Sequence, residues 1–227
     1  MIHVREKVER KENIDDKLNR LPVGDTQRVQ VLLAAEGLKR ATNLDIPFAT
    51  ELPEIRPISS REEMRLSVTR TRQILRTMGL RVAQMSGEMT SQDQPYWREE
   101  NYTLCTARKQ EDAERLAQLL SKKEQTYEIS QELGTLFGFP PTAIEAYASS
   151  GEDKSKAESL MYFFDLPLDV QKEDAVAFIW FRLSKEHWQE EMETVRRWAE
   201  AVKRRAPALY MRCVEEYRHD LEKAKSL

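Results

Sequence analysis

The chain has 227 residues, 40% of them hydrophobic and 33% charged, with a formal net charge of −3. That length and hydrophobic content bury a core as one large domain or two small ones and exclude a disordered chain. The near-neutral balance excludes a global pull toward nucleic acid or an anionic membrane, and seven glycines are too few for a turn-dense all-β fold or a glycine-rich phosphate cradle.

Residues 1–24 mix both signs of charge, with Val4, Val8, Ile14, Leu18 and Leu21 as a thin apolar stripe, and read as a charged arm or surface helix. Asp25 is placed to cap the next helix, which carries Val29, Leu32 and Leu33 and stops at Gly37. Residues 44–58 hold Pro47, Pro53 and Pro57, which forbid a helix and a central strand, so this stretch is an extended connector or edge strand. Ser60 and Glu63 have the spacing of a capping box. The helix that follows runs to about Met78, with Met64, Val68, Thr71, Leu75 and Met78 on one stripe and Gly79 as its stop. Leu80–Met85 and Asn101–Ala107 are short strands, most simply an antiparallel pair.

From residue 109 the pattern is helical. Ala113, Leu116, Leu119 and Leu120 form one apolar face, and Ile129, Leu133, Leu136 and Phe137 form the next. Gly138 ends that helix, and Pro140 and Pro141 start another over PTAIEAYA. Ser149–Ser150–Gly151 predicts a break, then a helix over Lys154–Phe164, a turn at Pro167 and an aromatic-rich helix over Ala175–Leu183. A long helix passes through Trp188, Met192, Val195 and Val202, is kinked or restarted at Pro207, and gives way to Leu209–Lys225. The expected fold is α+β and mostly α-helical, with a small two- to three-stranded antiparallel sheet. It divides into the arm over 1–24, an α+β part over 25–150 and a helical part over 151–227 packed with it as one unit.

The segment EENYTLCTARKQEDAERLAQLL…ISQELGTLFGFPPTAIEAY resembles an uncharacterised family of small archaeal and bacterial proteins. In that family a strand and a helix precede a Gly-x-x-x-Gly-Tyr/Phe-Pro turn, and a further helix follows it. The matching residues are Gly134, Gly138, Phe139 and Pro140, then Ile144 and Tyr147, within a stretch of about fifty residues. Thr142 and Ala143 stand near where the family often has a pair of cysteines, so no thiol or metal role is implied. The turn residues themselves have a physical reading. Gly134 allows close helix packing, Gly138 supplies a left-handed cap, and Phe139 is a buried plug.

Candidate chemistry is sparse. His3, His187 and His219 form no ligand-spaced pair, which leaves no expected metal or cofactor. Glu190, Glu191 and Glu193 read as a solvated run. There is no nucleophile elbow. Cys105 falls with Thr103 and Ala107 on a small-residue strand face, as a packing thiol, although Arg108 is adjacent. Two widely separated cysteines read as reduced thiols in the cytoplasm. The N-terminus lacks an apolar signal region, and the longest apolar stretch, Ala175–Phe181, falls far short of the ~20 residues a membrane span needs.

Two surface features remain. Arg61, Arg65, Arg72 and Arg76 share one narrow sector of a helix, suited to phosphate or carboxylate contacts. A second basic group contains Arg196, Arg197, Lys203 and Arg204. Tyr162, Phe163 and Phe164, then Phe178, Trp180, Phe181 and Trp188, are more aromatics than one core-facing stripe holds. Phe163, Trp180, Phe181 and Trp188 are therefore candidate interface residues. The expectation is a non-catalytic module that binds a protein partner or itself. The alternatives are nucleic-acid binding through the arginine ridge, and an enzyme with a cleft between the sheet and the helical half.

Overall fold

The computed structural model describes residues 13–49, 61–85, 89–90, 100–152 and 159–225. In chain order these form α1 (Ile14–Asn19), α2 (Asp25–Ala35), β1 (Ala41–Ala49), α3 (Arg61–Thr77), β2 (Arg81–Gln84), β3 (Met89–Thr90), β4 (Glu100–Ala107), α4 (Gln110–Leu120), α5 (Tyr127–Leu136), α6 (Pro141–Glu152), β5 (Leu160–Met161), β6 (Leu183–Ser184), α7 (Trp188–Arg205) and α8 (Pro207–Lys225). The fold is α+β and mostly helical. Ser60, half of the expected capping box, lies outside the described residues.

Strand β4 is the centre of the small sheet. β1 pairs with it antiparallel on one side, with Ala41 opposite Ala107 and Leu44 opposite Leu104. β2 pairs antiparallel on the other, with Arg81 opposite Ala107, and short β3 pairs further along β4. Pro47 thus sits on an edge strand, at an irregularity between Pro47 and Ala49, where a missing amide hydrogen is tolerated. Thr103 to Ala107 are all buried, because both faces of the sheet are covered. Cys105 and Ala107 meet Ala113 and Leu116 of α4, and Leu104 meets Val68 of α3 and Ile46 of β1. The period of two along β4 therefore serves two separate apolar clusters.

The largest cluster lies elsewhere. It joins Leu18 and Leu21, the face of α2 with Val29, Leu32 and Leu33, Leu75 and Leu80, and Phe178, Trp198, Val202, Leu209 and Val214 from the C-terminal third. Asp25 does not cap α2 by its side chain, since Gly24 holds that position. Its carboxylate instead takes Arg28 at 2.8 Å and Arg212 of α8 at 2.6 Å. Burial alone would raise the carboxyl pKa, but these two guanidinium groups hold it below its usual range.

Three helix boundaries in the C-terminal half differ from the sequence reading. The expected break at Ser149–Ser150–Gly151 is absent, and α6 continues to Glu152. Ser149 and Ser150 remain helical by donating their hydroxyls back to Glu145 and to the Tyr147 carbonyl. The helix expected over Lys154–Phe164 is replaced, in its described part, by strand β5 and a 3₁₀ turn over Phe163–Asp165. β5 pairs with β6, and the Tyr162 amide donates to the Asp165 carboxylate at 2.8 Å, which favours the turn. The aromatic helix expected over Ala175–Leu183 is a short 3₁₀ turn, Asp174–Phe178, followed by extended backbone from Ile179. Adjacent aromatics would wrap around a helix. Extended chain lets Phe178 enter the core while Trp180 and Phe181 remain half-buried.

Gly138 and Gly79 have nearly equal positive φ, 71° and 78°, but different surroundings. A Cβ at Gly138 would lie 2.8 Å from the Leu38 carbonyl oxygen, whereas one at Gly79 meets nothing within 4 Å. Asparagine tolerates such a φ but carries a Cβ. Gly79→Asn is therefore expected to shift the denaturation midpoint little. Gly138→Asn is expected to lower stability by ~2 kcal/mol or more in urea titrations. Equal losses at the two sites would contradict this account.

Candidate functional site: an aromatic cleft backed by a buried lysine

The short β5–β6 pair builds one wall of a cleft. Met161 is opposite Leu183, so the chain leaving β5 runs beside the chain entering β6. This brings Tyr162 against Arg182, whose guanidinium carbon stands 3.9 Å from the ring centroid. Tyr162 also stacks with Phe164 at 5.1 Å and 8° between planes. α5 and α6 build the opposite wall, where Gly134 is essential to their approach. A Cβ there would lie 2.7 Å from the Ile144 side chain.

Between these walls lies a cleft of about 470 Å³, within the usual ligand-site range of ~300–1,000 Å³. Phe137, Phe139, Trp180 and Phe181 line it together with Ile144, Tyr147, Met161, Tyr162 and Phe163. Among the described residues, Arg182 is the one charged residue of the lining, and no carboxylate contributes to it. Tyr147, Tyr162 and Phe163 are exposed at its mouth.

Behind the rings is an unexpected group. Lys39, between α2 and β1, is 1% exposed. Its Nζ lies 4.6 Å from the Trp198 ring centroid, 4.8 Å from Phe139, 5.8 Å from Trp180 and 5.9 Å from Phe137. It has no hydrogen-bond partner among the described residues. Burial pushes the amine down to about 7. Four ring faces oppose that shift, since each attracts the ammonium by ~1–2 kcal/mol when water is excluded. Three of those rings, Phe137, Phe139 and Trp180, are also cleft wall.

Among the sequence-derived interface candidates, Phe163, Trp180 and Phe181 meet on this cleft, whereas Trp188 begins α7, packs half-buried against the main core and does not line the cleft. Gly138, Phe139 and Pro140 form the turn between α5 and α6, and Gly134, within α5, accepts the Phe139 amide at 3.0 Å. Phe139 is half-buried, with ring contacts to Phe137, Phe181 and Trp198 at 5.6, 5.2 and 6.4 Å. Glu191, read from sequence within a solvated run, is fully buried. It accepts from the Ser184 amide at 2.8 Å and the Thr142 hydroxyl at 2.7 Å, fastening α7 to β6 and α6. Cys105 is sealed between β4 and α4, and burial with the nearby Asp45 charge pushes its thiol up to about 12. It lines neither the aromatic cleft nor the second one beside Thr142, Ser184 and His187.

The arginine ridge lies apart from the cleft, on α3. Arg61 opens that helix, Arg65 and Arg76 are exposed, and Arg72 donates to Gln84 at 2.8 Å. No carboxylate among the described residues pairs with Arg65, Arg72 or Arg76. The second basic group is more occupied. Arg196 grips Glu173 through two 2.9 Å bonds, Arg197 meets Thr194, and Lys203 lies over the Tyr210 ring. Among the described residues, no group of three or more His, Cys, Asp or Glu is placed to hold a metal. No described helix is long and apolar enough to cross a membrane. Comparison with protein-family models, curated proteins and solved structures gives no match.

Lys39 and Arg182 escape a reading from pattern alone, since nothing adjacent to either marks it. The usable signal was the aromatic surplus itself, because rings with no room in one core can surround a cation.

The lysine gives the fold a pH dependence of definite sign. The folded protein holds this proton more weakly than the unfolded chain, where lysine titrates near its ordinary value of ~10.4. Stability therefore rises as pH increases from about 7 toward that range, and the full penalty is present below 7. Lys39→Met, similar in volume and uncharged, is expected to raise stability at pH 6 by ~1–4 kcal/mol and to flatten the rise between pH 7 and 10. Guanidinium titrations at pH 6 and pH 9 measure both. A variant less stable than the parent at pH 6 would show that the rings more than offset the desolvation.

Proposed function

We propose that this chain works by binding rather than by chemistry, and that the aromatic cleft between α5, α6 and the β5–β6 pair is where it meets a protein partner or a second copy of itself. One observation carries this reading. Aromatic side chains that a soluble fold normally buries stay exposed around a preformed apolar cleft, with an arginine at its edge. That composition, rich in Phe, Tyr, Trp and Arg and poor in acidic groups, is the one protein interfaces favour at their centres. Phe164 at 58% and Leu168 at 69% exposure extend the apolar surface beyond the cleft mouth.

Phe163→Asp places a charge at the mouth without touching the cage around Lys39. If the partner is a second copy, sedimentation equilibrium shows the parent associating with rising concentration and the variant monomeric. If the partner is a different protein, both sediment as monomers, and an apolar dye such as anilinonaphthalene sulfonate brightens with the parent but far less with the variant. Monomers that bind the dye equally well, with unchanged melting temperatures, would remove the cleft from the reading.

A second reading rests on the α3 ridge, where Arg65, Arg72 and Arg76 have no carboxylate partner among the described residues. Guanidinium groups left without counter-charges suit phosphate contacts. Nucleic-acid binding there predicts an affinity that falls steeply with salt, and a several-fold loss on Arg76→Glu. Absent or salt-insensitive binding to RNA and DNA in polarisation titrations rules it out.

A further inference from the structure

We infer that the cleft selects a peptide segment that sets an apolar anchor beside a carboxylate, an acidic–aromatic motif rather than a purely apolar one. This deepens the protein-partner form of the proposed function and rests on it. The argument begins with the charge of the cleft. Among the described residues, its lining contains Arg182 and no acidic residue. Arg182 is exposed, and no carboxylate among the described residues pairs with it. Its guanidinium carbon stands 3.9 Å over the Tyr162 ring, a separation that suits face-on stacking. Stacking uses the face and leaves the in-plane N–H fork for a planar, bidentate acceptor, which a carboxylate is. It also holds the fork in place, so less side-chain entropy is lost on binding.

A second cation reinforces the first. Lys39 stands behind Phe137, Phe139 and Trp180, the same rings that line the cleft. When protonated, it adds positive potential to the cleft from behind. Water cannot screen it, because Lys39 is 1% exposed. An apolar cavity with positive charge on its lip and behind its wall favours a ligand with an apolar body and a negative edge. A purely apolar segment would leave Arg182 without a counter-charge at the contact, and a basic one would meet like charge.

The volume fits this occupant. About 470 Å³ accommodates one or two large side chains, not a whole helix, and its mouth is open beside exposed Tyr147 and Phe163. The carboxylate is an aspartate or glutamate flanking the anchor, or the end of a chain.

Display of random peptides on phage, panned in parallel on the parent, Arg182→Glu and Phe163→Asp, tests this. The parent is expected to enrich Phe, Trp or Leu next to Asp, Glu or a free C-terminus. Arg182→Glu is expected to retain the apolar anchor but replace the acid with Lys or Arg, with at least tenfold weaker binding of the parent's peptides. Phe163→Asp is expected to lose the anchor altogether. Enrichment of apolar anchors without acids, or a selection unchanged by Arg182→Glu, overturns the acidic requirement and leaves the binding cleft standing. Selection of nothing that depends on Phe163 overturns both. A parent that selects no peptides but binds dodecanoate, with binding lost in both variants, identifies a small-molecule amphiphile site and overturns the peptide assignment.

Discussion

The buried amine of Lys39, enclosed by four aromatic rings, is the constraint around which the aromatic site is arranged. The rings belong to remote parts of the chain: Phe137 and Phe139 follow α5, Trp180 precedes β6, and Trp198 is on α7. Lysine itself sits where α2 hands over to β1. A charge in such a place is tolerated only if ring faces surround it or if it gives up its proton, and its amine is pushed down to about 7. The site has no acceptor among the described residues, so the ring faces are what the amine meets, and Phe137, Phe139 and Trp180 among them also line the cleft. The cleft inherits its back wall from this requirement.

Close backbone contact supports the same point. Gly138 presses on Leu38 and Lys39, and a Cβ there would stand 3.1 Å from the Lys39 Cα. Gly134, one helical turn earlier, lets Ile144 pack against α5. The glycine pair thus sets two distances at once: α5 to α6, and the α5–α6 turn to the lysine. Glu191 plays the complementary part on the far side, a buried carboxylate bonded to Ser184 and Thr142 that fixes α7 relative to β6 and α6. The aromatic site is preformed because its supports are closely packed and hydrogen-bonded.

Much of this was legible in the residues. α3, α4 and α5 announce themselves by period, and Met64, Val68, Thr71, Leu75 and Met78 do face inward to differing degrees. β2 and β4 are readable as strands, and their antiparallel pairing was the simplest arrangement. The region around β5 and β6 was not legible, since two-residue strands carry no periodicity and Phe163–Phe164 or Trp180–Phe181 satisfy helix and strand patterns equally. The backbone there is set by the pairing of β5 with β6 together with the local bond from the Tyr162 amide to the Asp165 carboxylate. Of the cleft, sequence yields its aromatics and its glycines. It does not yield Lys39, which in composition resembles any solvated lysine and is distinguished only by what folds over it.

The pairing of distant segments bears on how the chain is made. Arg212 reaches Asp25 across 187 residues, and Arg205 reaches Glu36 across 169. The apolar face of α2 packs against α7 and α8, which are synthesised long after it. During translation, Leu32 and Leu33 therefore emerge long before the surfaces that cover them. The sheet can assemble from the first half, but the main core closes only when α8 has left the ribosome. Until α8 emerges, the α2 face stays open to chaperones, and loss of a few turns of α8 would strand α2 rather than merely trim α8.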